Sequence, residues 1–60
     1  MEKKYLDVKE ACEFLNIGRS KLFVLKKEGR IPYIRIDRSI FFDKEDLIKF
    51  MDSHKKIDKK

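Results

Sequence analysis

The chain has few of the residues on which enzymes and metal sites depend. Its 60 residues include one cysteine, Cys12, and one histidine, His54. A lone cysteine cannot form an internal disulfide, and this pair supplies neither a zinc site nor a nucleophile with its base. No glycine-rich, phosphate-holding loop is recognisable. The sequence therefore predicts a protein that is not an enzyme and that binds no metal and no cofactor.

Long apolar stretches are also missing. No run of residues is long and apolar enough to cross a membrane, and residues 1–5 lack the apolar centre of a signal peptide. We therefore expect a single cytoplasmic domain that makes no contact with a membrane.

Charge is abundant and unevenly placed. Charged residues make up 45% of the chain, hydrophobic residues 42%, and the net charge is +5. Residues 16–42 contain seven Lys or Arg against two acids, a balance of +5, whereas residues 1–15 balance at −1 and residues 43–60 at +1. A surface that is basic only for solubility would spread this excess more evenly. The concentration predicts a polyanionic partner for residues 16–42.

Two short helices are predicted in the first half of the chain. Asp7 and Glu10 have the spacing of a capping box, in which each residue bonds the backbone of the other. An apolar stripe with helical spacing follows: Val8, Ala11, Cys12 and Leu15. A second helix is expected over about residues 19–28, after a link at residues 16–18, and Gly29 supplies the left-handed position that ends it.

A β-hairpin is predicted next, because Pro32 cannot continue a helix and β-rich runs follow it. The strands are expected over residues 33–36 and 40–42, joined by a turn at residues 37–39. Alternation predicts these core-facing side chains: Ile34, Ile36, Ile40 and Phe42. It predicts these outward-facing side chains: Tyr33, Arg35 and Phe41.

A third helix and an unstructured end complete the expected domain. The acidic residues 43–46 suit a helix start, and the inward stripe is predicted to be Leu47, Phe50 and Met51. Residues 1–6 are expected to form a short lead-in, with Tyr5 and Leu6 packed under the first helix. Residues 1–53 would then be the domain, and residues 54–60 a basic flexible tail.

Two helices joined by a three-residue turn, with small side chains at Ala11 and Cys12, describe a helix-turn-helix. The second helix would enter the major groove of DNA. Its candidate contacts are Arg19, Ser20, Lys21, Phe23, Val24 and Lys27. Arg19 suits a bidentate pair with guanine, whereas Val24 could equally complete the core.

The basic hairpin would form a wing beside this helix. Candidate contacts from the wing and to the DNA backbone are Lys26, Arg30, Arg35, Arg38 and Ser39. The alternative is an ordinary exposed turn. Tyr33 and Phe41 could pair across the strands or form a contact surface for a partner protein. The predicted class is mainly α with a β-hairpin wing, a winged helix-turn-helix whose order is helix, helix, strand, strand, helix.

The sequence resembles the small excisionase-type DNA-binding domains, which are related to MerR-like winged helix-turn-helix proteins. The resemblance covers about residues 5–51. The matching segments are Tyr5-Leu6, Glu10-Ala11-Cys12, Leu15, Ile17, Arg19-Ser20, Leu22, Leu25, Gly29-Arg30-Ile31-Pro32, Ile36, Arg38, Phe42 and Glu45-Asp46-Leu47. Three positions depart from the family pattern: Cys12 replaces an alanine, Gly18 a capping serine and Asp37 a wing glycine.

This resemblance implies a protein of a mobile element, in a prokaryotic cell or a phage-infected host, that binds and bends attachment-site DNA. Such a protein is a recombination directionality factor and steers an integrase towards excision. It would be a monomer in solution that binds double-stranded DNA, with cooperative binding on adjacent sites. A small transcription regulator with the same contacts, or a protein-interaction module, are the alternatives.

Overall fold

The computed structural model describes residues 3–57. The elements are β1 (Tyr5–Asp7), α1 (Val8–Leu15), α2 (Arg19–Lys27), β2 (Ile34–Ile36), β3 (Ser39–Asp43) and α3 (Lys44–Ser53). The two helices, the hairpin and the third helix follow in the predicted order. Over residues 3–57, no helix has the length and apolarity needed to cross a membrane.

Strand β1 precedes the helices, whereas the predicted order began with a helix. The three strands form one antiparallel sheet in the order β1-β3-β2, so β3 is its centre. Leu6 pairs with Phe42, and the backbone N–H of Lys44 donates to the carbonyl of Lys4 at 2.9 Å. A strand of three residues is too short to show a period of two. Its pairing partner, moreover, lies far along the chain.

Helix α1 starts with the predicted capping box. The Asp7 carboxylate accepts from the Glu10 N–H at 2.8 Å, and the Asp7 N–H donates to Glu10 Oε1 at 3.0 Å. Lys3 Nζ donates to Glu10 Oε2 at 2.6 Å. The hydrogen bond from Lys3, followed by that from the Asp7 backbone, lowers the pKa of the Glu10 carboxyl. The cap therefore stabilises the fold above the carboxyl's ordinary pKa and weakens as pH falls through the lowered value.

Helix α1 ends in a turn that directs the chain into α2. Asn16 adopts the left-handed conformation with φ of 58°. Its N–H donates to the carbonyl of Glu13 at 3.3 Å, and the Ile17 N–H donates to that of Cys12 at 3.0 Å. These two bonds form a Schellman motif, which satisfies carbonyls that the helix leaves free. Ile17 packs against the core.

The core draws residues from every element except β2. Its buried side chains are Leu6, Ala11, Leu15, Leu22, Leu25, Ile31, Phe42 and Leu47. Val8, Cys12, Ile17, Ile40 and Phe50 pack against it and are partly buried. The predicted apolar stripe of α1 is therefore confirmed.

The prediction that Ile34 and Ile36 face the core is wrong. Ile34 is 38% exposed and Ile36 is 58% exposed. Ile34 pairs with Phe41, and directly paired residues in an antiparallel sheet lie on the same face. Because Phe42 is fully buried on the core side, its neighbour Phe41 lies on the other side and Ile34 lies there with it.

The same register places the Arg35 side chain on the core side of the sheet, although it was expected to face outward. Arg35 pairs with Ile40, on the core side of the sheet, yet it stays exposed because β2 is an edge strand. Tyr33 precedes β2 and does not pair with Phe41 across the strands. The predicted Tyr33–Phe41 surface is therefore not formed as expected.

An apolar groove lies on the side of the sheet that faces away from the helices. Four side chains, Tyr5, Ile34, Ile36 and Phe41, line a shallow groove of about 370 Å³ there. We call these four residues the outer sheet face. The groove has no polar lining, which is unusual for a solvent-exposed part of a domain with so many charges.

Helix α3 is capped by Asp43, whose carboxylate accepts from the Glu45 N–H at 2.9 Å. Leu47 is fully buried and Phe50 partly buried, as predicted, but Met51 is 47% exposed. The inward placement of Met51 is wrong because the end of α3 extends beyond the core. All residues from 51 to 57 are exposed. The predicted flexible tail begins at residue 54, and its residues 58–60 lie outside the described part of the chain.

The orientation of the sheet predicts opposite effects for two substitutions in the hairpin. Phe42→Ala removes a fully buried ring and should cost about 3–5 kcal/mol of unfolding free energy. Ile36→Thr changes an exposed, β-branched position and should cost less than about 0.5 kcal/mol. Thermal and urea unfolding followed by circular dichroism measure both. Equal destabilisation by the two changes would contradict the assigned faces.

Candidate nucleic-acid interface

Helix α2 is held to the domain by one side only. Leu22 and Leu25, three residues apart, are buried in the core. The helix begins after Gly18, whose backbone is extended with φ of −80° and ψ of 166°. The Gly18 carbonyl accepts from the Leu22 N–H at 3.1 Å, but no side chain caps the helix start. The first turn therefore depends on its backbone bonds.

The remaining side chains of α2 give it an exposed surface. The six predicted recognition-helix residues are all exposed: Arg19, Ser20, Lys21, Phe23, Val24 and Lys27. Val24 is 50% exposed, so it does not complete the core. Both alternatives for Val24 were open from the sequence, and its position on the free side of the helix decides between them.

Helical geometry divides these residues into a front and two flanks. Ser20, Phe23, Val24 and Lys27 lie opposite the buried leucines and form the front of the helix. Arg19, Phe23 and Lys26, at spacings of four and three residues, lie along one flank. Lys21 lies on the other flank. The structure thus separates Lys21 from Arg19, although they are near neighbours in sequence.

Helix α2 ends in a second Schellman motif. The Arg30 N–H donates to the carbonyl of Leu25 at 3.0 Å, and the Gly29 N–H donates to that of Lys26 at 3.1 Å. Gly29 has φ of 74°, the left-handed conformation predicted for it. The motif turns the chain back so that Ile31 is buried and the wing starts beside α2.

The wing turn forms without the glycine that the family pattern has at residue 37. Asp37 takes the left-handed conformation, with φ of 55°, and the Arg35 Nε donates to its carbonyl at 3.1 Å. Ile36 pairs with Ser39, so the loop has two residues, one fewer than predicted. Arg35 therefore supports the turn, while Arg38 lies exposed in the loop itself.

The start of α2 and the start of β3 border the same open groove. This groove has a volume of about 380 Å³ and is lined by Asp7, Val8, Lys9, Arg19, Ser39, Ile40 and Phe41. The fold thus brings Arg19 near Ser39, which the sequence placed in separate parts of the predicted interface. The flank of α2 that contains Arg19 thus borders this groove.

Arg30 is less available than the other basic candidates. Its Nε lies 3.5 Å from Glu28 Oε1, and both side chains are more than half exposed. Exposed ion pairs of this kind are weak, so DNA phosphate could displace Glu28. The pair nevertheless offsets part of the charge that Arg30 would bring to a backbone contact.

Lys26 has aromatic neighbours that sequence analysis did not connect with it. Its Nζ lies 4.4 Å from the centre of the Tyr33 ring and 5.9 Å from that of Phe23. The contact with Phe23 follows from the spacing of three residues along the helix. The contact with Tyr33 depends on the reversal of the chain at Gly29, which no local pattern measures.

The fold and this surface agree with a comparison against protein families. The family described as the helix-turn-helix domain matches residues 5–55, which is most of the chain. The chain belongs to this family of small DNA-binding domains. It is a DNA-binding helix-turn-helix protein with three helices and a three-stranded antiparallel sheet. Neither the curated proteins nor the solved structures give a match.

The two ends of α2 predict opposite responses to serine. At Gly18 the backbone suits any residue and a Cβ meets nothing within 4 Å, so Gly18→Ser adds a cap without strain. We expect a gain of about 0.5–1 kcal/mol, or roughly 2–6 °C in Tm. Gly29→Ser has equal room but a positive φ and should lose about 1 kcal/mol. Differential scanning calorimetry compares them, and stabilisation by both would contradict the assigned caps.

Proposed function

We propose that the protein is a sequence-specific DNA-binding factor of the excisionase type, a recombination directionality factor that binds and bends attachment-site DNA. The observation that carries this proposal is the groove shared by Arg19 and Ser39. Residues from the start of the proposed recognition helix and from the proposed wing line this groove, which supports their use as one surface. One domain could then hold a major groove and the neighbouring backbone or minor groove together, an arrangement suited to bent DNA.

In this proposal the front of α2 enters the major groove. Ser20 would serve a base edge or a phosphate, and Phe23 and Val24 would contact thymine methyl groups or sugars. Lys27 would meet a phosphate at the end of the front. Arg19, where helix and wing approach, is the residue proposed to read guanine, which would contribute about 1–3 kcal/mol of discrimination.

The basic residues around this front would position the protein on the backbone. Arg38 and Ser39 would contact phosphate or minor groove at the wing tip, while Arg35 would hold the turn that presents them. Lys21 and Lys26 would reach phosphates on opposite flanks of α2. Arg30 would also contact a phosphate, which would replace its ion pair with Glu28.

The excisionase role further proposes an integrase as partner and no chemistry by this chain. The resemblance at Gly29-Arg30-Ile31-Pro32 and the wing favours this role, since these residues form the junction between α2 and β2. One helix and one wing cover a short DNA site. We therefore propose a monomer in solution that binds adjacent sites cooperatively.

A small transcription regulator would use the same contacts, so the described geometry does not separate it from an excisionase. A protein-interaction role has one specific observation in its favour, the apolar outer sheet face. That face includes Phe41 but not Tyr33, so it differs from the surface predicted from the sequence. It would add a protein contact beside the proposed DNA contacts, since Phe41 borders both the outer sheet face and the groove that Arg19 lines.

Binding measurements on variants of α2 and the wing test the DNA surface. Arg19→Ala should weaken binding to the specific site by about 5- to 150-fold, because a guanine contact is lost. Adding Lys27→Ala should also reduce the slope of log K against log salt by about 0.9, the value of one phosphate. Fluorescence anisotropy at several salt concentrations measures both quantities.

Two matched variants complete this test. Lys49→Ala removes an exposed lysine of α3 and should leave affinity and slope nearly unchanged. Arg38→Ala should weaken binding to all sequences equally if the wing contacts the backbone. Full affinity in the Arg19→Ala, Lys27→Ala double variant would show that α2 is not the DNA-reading element.

Footprinting on the ends of the encoding element, with and without its integrase, tests the excisionase role. We expect protection beside the integrase sites and stimulation of excision in a recombination assay. Arg19→Ala should reduce both effects. Protection confined to a promoter, with no change in excision, would instead support a transcription regulator. Partner binding at salt concentrations that abolish DNA binding would support the protein-interaction role.

A further inference from the structure

Lys26 lies against the faces of two aromatic rings at the end of α2. Its Nζ is 4.4 Å from the centre of the Tyr33 ring and 5.9 Å from that of Phe23. Both distances fall within the range of about 6 Å over which an ammonium is attracted to a ring. We call Phe23, Lys26 and Tyr33 the aromatic–lysine cluster.

Lys26 is paired with the Phe23 and Tyr33 rings and not with an acidic side chain. Among residues 3–57, no carboxylate lies within ion-pair distance of Lys26, whereas Lys3 and Lys55 each have one. Lys26 is partly buried, while Arg19, Lys21 and Lys27 on the same helix are exposed. The Lys26 charge is therefore held in place without being neutralised.

The backbone around the cluster is firmly fixed. The Schellman motif at Gly29 ends α2, and Ile31, which is 1% exposed, anchors the following segment in the core. Pro32 restricts the backbone between that anchor and Tyr33. Tyr33 itself remains 45% exposed. The Tyr33 ring is thus held over Lys26 by the burial of Ile31, although Tyr33 itself is not part of the core.

The cluster lies on the flank of α2 that also contains Arg19. Arg19 borders the groove at the start of β3 at one end of this flank, and Lys26 contacts Tyr33, the residue before β2, at the other. Both ends of the flank therefore border residues of the segment 33–41. A DNA backbone that follows the junction of helix and wing would pass beside Lys26.

We propose that Tyr33 is a positioning residue for DNA binding, and that with Phe23 it holds the Lys26 ammonium ready to contact a phosphate. This proposal rests on the DNA surface proposed above. The ring face occupies one side of the ammonium and leaves N–H groups free to donate to phosphate oxygens. Because a lysine side chain loses much conformational freedom when fixed, holding it in advance reduces the loss on binding.

A double-mutant cycle with a salt titration tests this role. Lys26→Ala should lower the slope of log K against log salt by about 0.9, since one phosphate contact disappears. Tyr33→Ala should weaken binding about two- to fivefold, the strength of an exposed ring–ammonium contact, and leave the slope unchanged. In the Lys26→Ala background, Tyr33→Ala should have no further effect.

Tyr33→Phe is the matched control. It keeps the ring and should bind DNA like the unmodified protein. Tyr33→Ala should melt within a few degrees of the unmodified protein, because the ring is about half exposed. A loss of affinity in Tyr33→Phe would overturn the proposal, since it would assign the effect to the hydroxyl. So would a weakening by Tyr33→Ala that persists in the Lys26→Ala background.

A measurement on the free protein separates this inference from DNA binding itself. The Tyr33 ring current should shift the Lys26 side-chain methylene protons upfield in the NMR spectrum, in Tyr33→Phe as well, and Tyr33→Ala should remove that shift. Without the shift, the positioning role fails even if DNA binds. If the shift is present but no variant alters a measurable DNA affinity, the positioning role in DNA binding fails. If the unmodified protein binds no DNA at any salt concentration, the proposed function fails with it.

Discussion

The pairing of β3 with both β1 and β2, with Phe42 buried beneath it, is the constraint on which the domain depends. It joins the start of the described chain to the wing, so that a 60-residue protein closes its sheet around one central strand. The same register fixes which side chains leave the core. Burial of Phe42 places Phe41 and Ile34 on the outer sheet face and Arg35 on the core side at the wing edge. The groove lined by Arg19 and Ser39 is a consequence of this arrangement.

Features that depend on neighbouring residues could be predicted from the sequence, and features that depend on distant pairing could not. Asp7 with Glu10, and Gly29, act within a few residues, and the structure has them as expected. The two faces of β2 were assigned the wrong way round from the sequence. A pattern of period two fits either assignment until the pairing with a neighbouring strand decides which face is buried. In β2 the apolar residues lie outside, against the usual preference, because no core element covers that strand.

The candidate site follows the same division. The free side of α2 could be predicted, because burial of Leu22 and Leu25 determines which residues remain exposed. The approach of Arg19 to Ser39 and of Lys26 to Tyr33 could not, since both depend on how the chain returns after Gly29. The charge balance pointed to residues 16–42 as the basic segment. Charge alone gives no indication that the uncharged Tyr33 ring holds Lys26.

The two ends of α2 are stabilised to different degrees, and this difference suits the roles proposed for them. The C-terminal end is fixed by two backbone hydrogen bonds, a left-handed glycine and the rings around Lys26. The N-terminal end follows an uncapped glycine and includes Arg19, the proposed base-reading residue. A phosphate contact sets register and gains from a fixed position, whereas base contacts require local adjustment to each step of the groove. Under the proposed roles, fixing the C-terminal end of α2 would leave its N-terminal end free to adjust without loss of register.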